Sequence, residues 1–161
     1  MIGQILQAKN LTKARRKVEQ NSGSAGVDGM QTTELQPYIE QQGERTLTSI
    51  VNGRYLPSPI LAVEIPKTSG GTRMLGIPTV TDRWLQQAVS QQLAMKFEFD
   101  FEDESYGFCP KRNLYRAVLQ AQKYINDGFH DIVDIDLSKF FDEATDAQLN
   151  TINFCNLSII R

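Results

Sequence analysis

The 161 residues, 40% hydrophobic and 22% charged, suit one compact unit or a piece of something larger, and no apolar run nears the roughly 20 residues of a membrane span. Two cysteines, Cys109 and Cys155, and a single histidine lack metal-ligand spacing, which argues against a disulfide framework or a zinc site. Met1-Ile2-Gly3-Gln4 is no signal-peptide opening, so the expected location is cytoplasmic. The net charge of −2 weighs against a nucleic-acid partner, because phosphate neutralisation leaves a basic footprint. The distribution answers part of that objection: Lys9, Lys13, Arg15, Arg16 and Lys17 crowd one early stretch, while Glu98, Asp100, Glu102, Asp103 and Glu104 concentrate acid in a later one.

In chain order, residues 4 to 20 predict an amphipathic helix with Ile5, Leu6, Leu11, Ala14 and Val18 on its apolar side. The basic cluster lies on this helix, as a solvated face or as a binding face. The stretch Asn21-Ser22-Gly23-Ser24-Ala25-Gly26-Val27-Asp28-Gly29-Met30 is too glycine-rich for a regular element and reads as a linker or a phosphate cradle, without the Lys-Ser/Thr ending of a P-loop. Two short helices should follow, one with Leu35, Tyr38 and Ile39 inward and one with Leu47, Ile50 and Val51, stopped by Gly43 and Gly53.

Tyr55-Leu56-Pro57-Ser58-Pro59 bars a helix, and residues 60 to 65 and 72 to 77 predict a hairpin turning through Pro66-Lys67-Thr68-Ser69-Gly70-Gly71. That hairpin brings Lys67 towards Arg73. Two cations on such a ribbon either keep an edge from pairing with neighbours or hold a polyanion, one as a point charge and one as a planar fork. Thr79-x-x-Asp82 marks a helix start, with Trp84, Leu85, Ala88, Val89, Leu93 and Phe97 as a buried stripe over about 80–97. Asp82-Arg83 at that start suits the helix's cap and dipole. A further helix over about 112–127 turns Leu114, Ala117, Val118, Ala121, Tyr124 and Ile125 inward, behind Lys111 and Arg112, which suit a phosphate near its start.

The last informative stretch runs Asp131-Ile132-Val133-Asp134-Ile135-Asp136-Leu137-Ser138-Lys139-Phe140-Phe141-Asp142. Its apolar residues predict a strand, which puts Asp134 and Asp136 on one face about 7 Å apart. Paired carboxylates there are costly unless water or a cation relieves them, and Mg²⁺ is the hard cation that takes carboxylate oxygen and substrate phosphate together.

Several of these strings resemble the group II intron-encoded reverse transcriptase/maturases. Gly23, Gly26, Asp28 and Gly29 match the Gly-x-x-Gly-x-Asp-Gly of that family's N-terminal extension. Ile65-Pro66-Lys67 with Gly71-x-Arg73-x-Leu75-Gly76-Ile77-Pro78 is similar to its fingers motif, Ser105-Tyr106-Gly107-Phe108-x-Pro110-x-Arg112 to a further signature, and Asp136 through Phe140-Phe141-Asp142 to its first palm motif. The chain departs from the family at Leu61, Ala62 and Cys109, where arginines are usual, and at Ala144-Thr145-Asp146.

The resemblance implies an α+β right-hand polymerase: an N-terminal extension over 1–30, fingers over 31–130 with the hairpin at 60–77, and a truncated start of palm over 131–161. It implies Mg²⁺ held by the Asp136 carboxylate and the Leu137 carbonyl, with Asp136 catalytic. An incoming dNTP would meet Lys67, Arg73 and the backbone N–H groups of Lys139 and Phe140. Phe141 would crowd the sugar 2′ position, a role compatible with an ordinary core aromatic. RNA would meet Lys13, Arg15, Arg16, Gly26, Arg83, Lys111 and Arg112, beside a DNA primer. The family's second metal half-site is a Tyr-x-Asp-Asp, and no Asp-Asp pair occurs in the sequence, so the chain alone is expected not to polymerise. Two other readings stand beside this one: a non-catalytic, maturase-like fragment that binds structured RNA, and a homodimer paired through an exposed strand edge.

Overall fold

A computed structural model describes residues 1–68 and 70–135. They form five α-helices and one two-stranded antiparallel sheet, an α+β chain. The helices are α1 (Ile2–Ile5), α2 (Ala8–Asn21), α3 (Leu35–Val51), α4 (Val80–Phe97) and α5 (Leu114–Asn126), and the strands are β1 (Leu61–Pro66) and β2 (Thr72–Ile77). Two compact units divide the chain, Met1–Asn113 and Leu114–Arg161.

The first unit is built around α2 and α4. Leu11, Ala14 and Val18, at helical spacing on α2, pack with Val80, Trp84 and Ala88 on α4 and with Leu35 at the start of α3. Trp84 is 1% exposed, and its indole N–H donates to the Leu11 carbonyl at 3.0 Å, so the largest core side chain also has its polar atom satisfied. Ile5, Met30, Ile39, Leu47 and Leu85 close the edges.

Three expectations need correction here. The helix over 4 to 20 is two helices, with Gln7 extended between them (ψ 135°). The cause is Asn10, which is buried: its side-chain amide donates to the Ile5 carbonyl at 2.8 Å, taking the acceptor that a continuous helix would use. Nor does Gly43 end a helix. α3 runs through it, because the flanking Gln41, Gln42, Glu44 and Arg45 favour helix and a lone glycine costs only about 1 kcal/mol. Gly53 is the actual stop, at φ +65°, with Arg54 N–H reaching the Ser49 carbonyl and Gly53 N–H the Ile50 carbonyl, a Schellman closure. The buried stripe of α4 is also shorter than its periodicity suggests. Val89 and Leu93 are each 36% exposed, because burial is concentrated on the helix's first half, where α2 packs.

The second unit is described through residue 135. α5 forms as expected, but none of its residues is buried, so its apolar stripe lies open. The Tyr124 and Phe129 rings meet edge to face, centroids 6.1 Å apart. The strand expected from Asp131 is not formed over 131–135, which are exposed and without regular structure. A strand requires a neighbour for its backbone groups, and the sheet among the described residues contains β1 and β2 alone.

Candidate nucleic-acid interface

The hairpin carries the first group of predicted residues. β1 and β2 pair with Ile65 opposite Arg73 and Pro66 opposite Thr72, and the turn closes with Lys67 N–H to the Gly71 carbonyl (2.9 Å) and Gly70 N–H to the Lys67 carbonyl (3.1 Å). Gly70 and Gly71 both take positive φ, +90° and +80°, a turn that side-chain-bearing residues would strain. Strand alternation then puts Arg73 on the same face of the ribbon as Leu61, Val63, Ile65, Leu75 and Ile77, while Lys67 follows β1 directly and opens the turn. Lys67 and Arg73 are both exposed.

The base of this ribbon is fastened by a buried carboxylate. Asp82, 4% exposed in the first turn of α4, accepts from Tyr55 Oη (2.7 Å), from the Ser58 backbone N–H (3.1 Å) and from Thr79 Oγ1 (2.6 Å). Thr79 in turn caps α4 by accepting from Asp82 N–H at 3.2 Å. The helix N-terminus favours the negative charge. Chain entering β1 and chain leaving β2 are thus tied to one side chain. Burial pushes the Tyr55 hydroxyl well above the usual tyrosine value, reinforced by its hydrogen bond to Asp82, by the charge of Asp82 and by Tyr38.

The glycine loop docks on the same helix start. A Cβ on Gly26 would lie 2.7 Å from the Thr79 Cα and 2.8 Å from its nitrogen, so only glycine lets the loop pass there. Arg83 reaches back from α4: its Nη2 donates to the Ser24 carbonyl at 2.6 Å and its Nη1 rests against Gly23. Its Nε is buried without an acceptor among the described residues. Arg83, Gln86, Gln87 and Ser90, at i, i+3, i+4 and i+7 on α4, face Val18 and Asn21 of α2 across an open cleft of about 270 Å³.

The remaining predicted cations divide into two kinds. Lys13 and Arg16 are exposed on α2, whereas Arg15 is held by Glu19 at 2.6 Å to both carboxylate oxygens. Arg112 donates to the carbonyls of Glu102 and Ser105 (2.9 Å to the latter), and so organises the acidic stretch; Lys111 beside it is exposed at φ +62°. Asp136, Leu137, Lys139, Phe140 and Phe141 lie outside the described residues. Among the described residues no cluster of three or more His, Cys, Asp or Glu side chains is placed to hold a metal, and no helix is long and apolar enough to cross a membrane.

Sequence reasoning missed the polar centre of the first unit. Asn10 also donates to the Ala88 carbonyl (2.9 Å) and accepts from Gln91 and Gln92, each at 2.9 Å. The adjacent amides Gln91-Gln92 on an otherwise core-forming helix were the available signal.

Protein YkfC of Escherichia coli is 33% identical over 144 residues, which is 86% of this chain and 38% of that protein. Group II intron-encoded protein LtrA of Lactococcus lactis is 31% identical over 147 residues, 91% of this chain and 24% of LtrA. The putative COX1/OXI3 intron 2 protein of Saccharomyces cerevisiae is 27% identical over 142 residues, 88% of this chain and 16% of that protein. The chain therefore spans less than two fifths of the length of each of these relatives. No family model matches it. Over most of its length, then, this chain has homologues among the group II intron-encoded proteins.

Proposed function

We propose that this chain is the N-terminal part of a group II intron RNA-directed DNA polymerase, comprising the N-terminal extension, the fingers and the start of the palm of a right-hand fold, and that it works in the cytoplasm. It binds template RNA and an incoming dNTP–Mg²⁺, beside a DNA primer, for nucleotidyl transfer. The observation that carries this reading is the hairpin itself, whose turn begins at Lys67 and whose returning strand carries Arg73 opposite Ile65, on a ribbon with its base fastened by Asp82. A triphosphate offers several anionic oxygens to such a pair, a point charge and a bidentate fork. Asp136 with the Leu137 carbonyl would hold Mg²⁺, which neutralises phosphate charge and orients it. Lys139, Phe140 and Phe141 would complete the nucleotide site. Polymerisation needs carboxylates on both sides of the metals, and the sequence has no Asp-Asp pair, so the chain alone is inactive.

Titration of the chain with a fluorescent dNTP in Mg²⁺ tests this. Saturable binding that Lys67→Ala/Arg73→Ala weakens at least tenfold is expected; wild-type binding unchanged by that double substitution overturns it. A second reading, a non-catalytic module for structured RNA, is favoured by the exposed lysines of α2 and the loop docked beside them. Salt-sensitive RNA binding with no dNTP binding would select it.

A further inference from the structure

The cleft between α2 and α4 has a composition that a simple phosphate site does not need. One cation, Arg83, stands at its edge, and the other polar lining is neutral: Asn21, Gln86, Gln87 and Ser90, over the apolar Val18. Each of those neutral groups offers a donor and an acceptor. The Arg83 guanidinium is already oriented by the Ser24 carbonyl, and its Nε has no acceptor among the described residues. Lys9, Lys13 and Lys17 are exposed at i, i+4 and i+8 on α2, about 6 Å apart along its axis, and the next step of that row is Asn21 at the cleft. A lysine row therefore runs into a pocket whose chemistry changes from charge to two-way hydrogen bonding.

We propose that this cleft takes the sugar of one nucleotide of a single-stranded RNA and reads its 2′-hydroxyl through Gln86, Gln87 and Ser90, so that the chain prefers RNA to DNA of the same sequence. The 2′-hydroxyl is both donor and acceptor, which is what amide and hydroxyl linings match and what a deoxyribose lacks. Val18 accommodates the sugar's carbon face, Arg83 takes the adjoining phosphate, and the lysine row tracks further phosphates without regard to sugar. At about 270 Å³ the cleft suits one sugar with its phosphate and is below the usual range for a drug-sized ligand. The inference rests on RNA binding under either reading above and adds a basis for discrimination.

The test is fluorescence anisotropy of the whole chain with a labelled single-stranded RNA and a DNA of matching sequence. Wild type should bind the RNA about three- to tenfold more tightly, the value of one or two hydrogen bonds. Gln87→Leu and, separately, Ser90→Ala should weaken RNA binding and leave DNA binding unchanged, bringing the ratio towards one. Lys9→Gln/Lys13→Gln/Lys17→Gln should weaken both ligands alike and keep the ratio. Trp84 emission reports whether each variant is folded, and the exposed Ser90 serves if Gln87→Leu is not. Equal wild-type affinities, or a preference unmoved by both cleft variants, overturn the inference while leaving RNA binding intact. Absence of RNA binding overturns it together with the reading it rests on.

Discussion

The α2–α4 pair and the β1–β2 hairpin belong to the same unit and carry opposite designs. In the helical pair, Trp84, Ala14, Val80 and Ala88 are almost wholly buried and the polar side chains of Asn10 and Asp82 are committed to hydrogen bonds, the Arg83 Nε being the exception. In the hairpin no strand residue is buried, even Leu61 and Val63 keep 38% and 37% of their surface exposed, and Lys67 and Arg73 are exposed. The difference teaches where stability and recognition are stored. The helices supply apolar burial and satisfied hydrogen bonds; the ribbon holds a shape through its ladder and its two glycines and keeps its charged groups available.

Substitutions can break or sharpen this contrast. The largest effect is expected from Trp84→Ala, which empties the core and removes the bond to the Leu11 carbonyl; chemical denaturation should show a loss of about 3–5 kcal/mol. Gly26→Ala comes next, because its Cβ meets the Thr79 backbone, which cannot rotate away. About 1–3 kcal/mol is expected, and a smaller loss would mean the loop is not fixed to α4.

Tyr55 sharpens the contrast at the ribbon's base. Its folded value lies above the ordinary tyrosine value of 10.0, so its contribution is complete below pH 10 and falls as pH rises through the folded value. Alkaline titration of wild type against Tyr55→Phe should show a steeper loss of stability in wild type above pH 10; parallel curves would dissociate Tyr55 from Asp82. The smallest effect belongs to Lys67→Ala/Arg73→Ala, within about 0.5 kcal/mol of wild type, and a core-sized loss there would erase the distinction between the two regions.

Local patterns made much of this legible. Hairpin ends, the Thr79 cap and the extent of α4 follow from period, glycine and proline, because each depends on neighbours within a few residues. What escaped depends on distant partners: Asn10 is buried because Ala88, Gln91 and Gln92 meet it, and Asp82 because Tyr55 and Ser58 do. Arg83 was legible as a cation at a helix start, but not as the clasp of the glycine loop, since Ser24 lies 59 residues earlier. The apolar run at 132, 133 and 135 has strand-favouring residues, yet 131–135 form no strand, because ladder partners decide whether one forms.

Because Asp82 gathers Tyr55 and Ser58 ahead of β1 and Thr79 behind β2, the hairpin behaves as a handle riveted at its foot. Extra residues at the glycine tip lengthen the handle and leave the rivet alone. One residue inserted between Ser58 and Leu61, or between Ile77 and Thr79, would slide an anchoring group off the carboxylate and swing both cations together, so length variation is tolerated at the tip and forbidden at the foot.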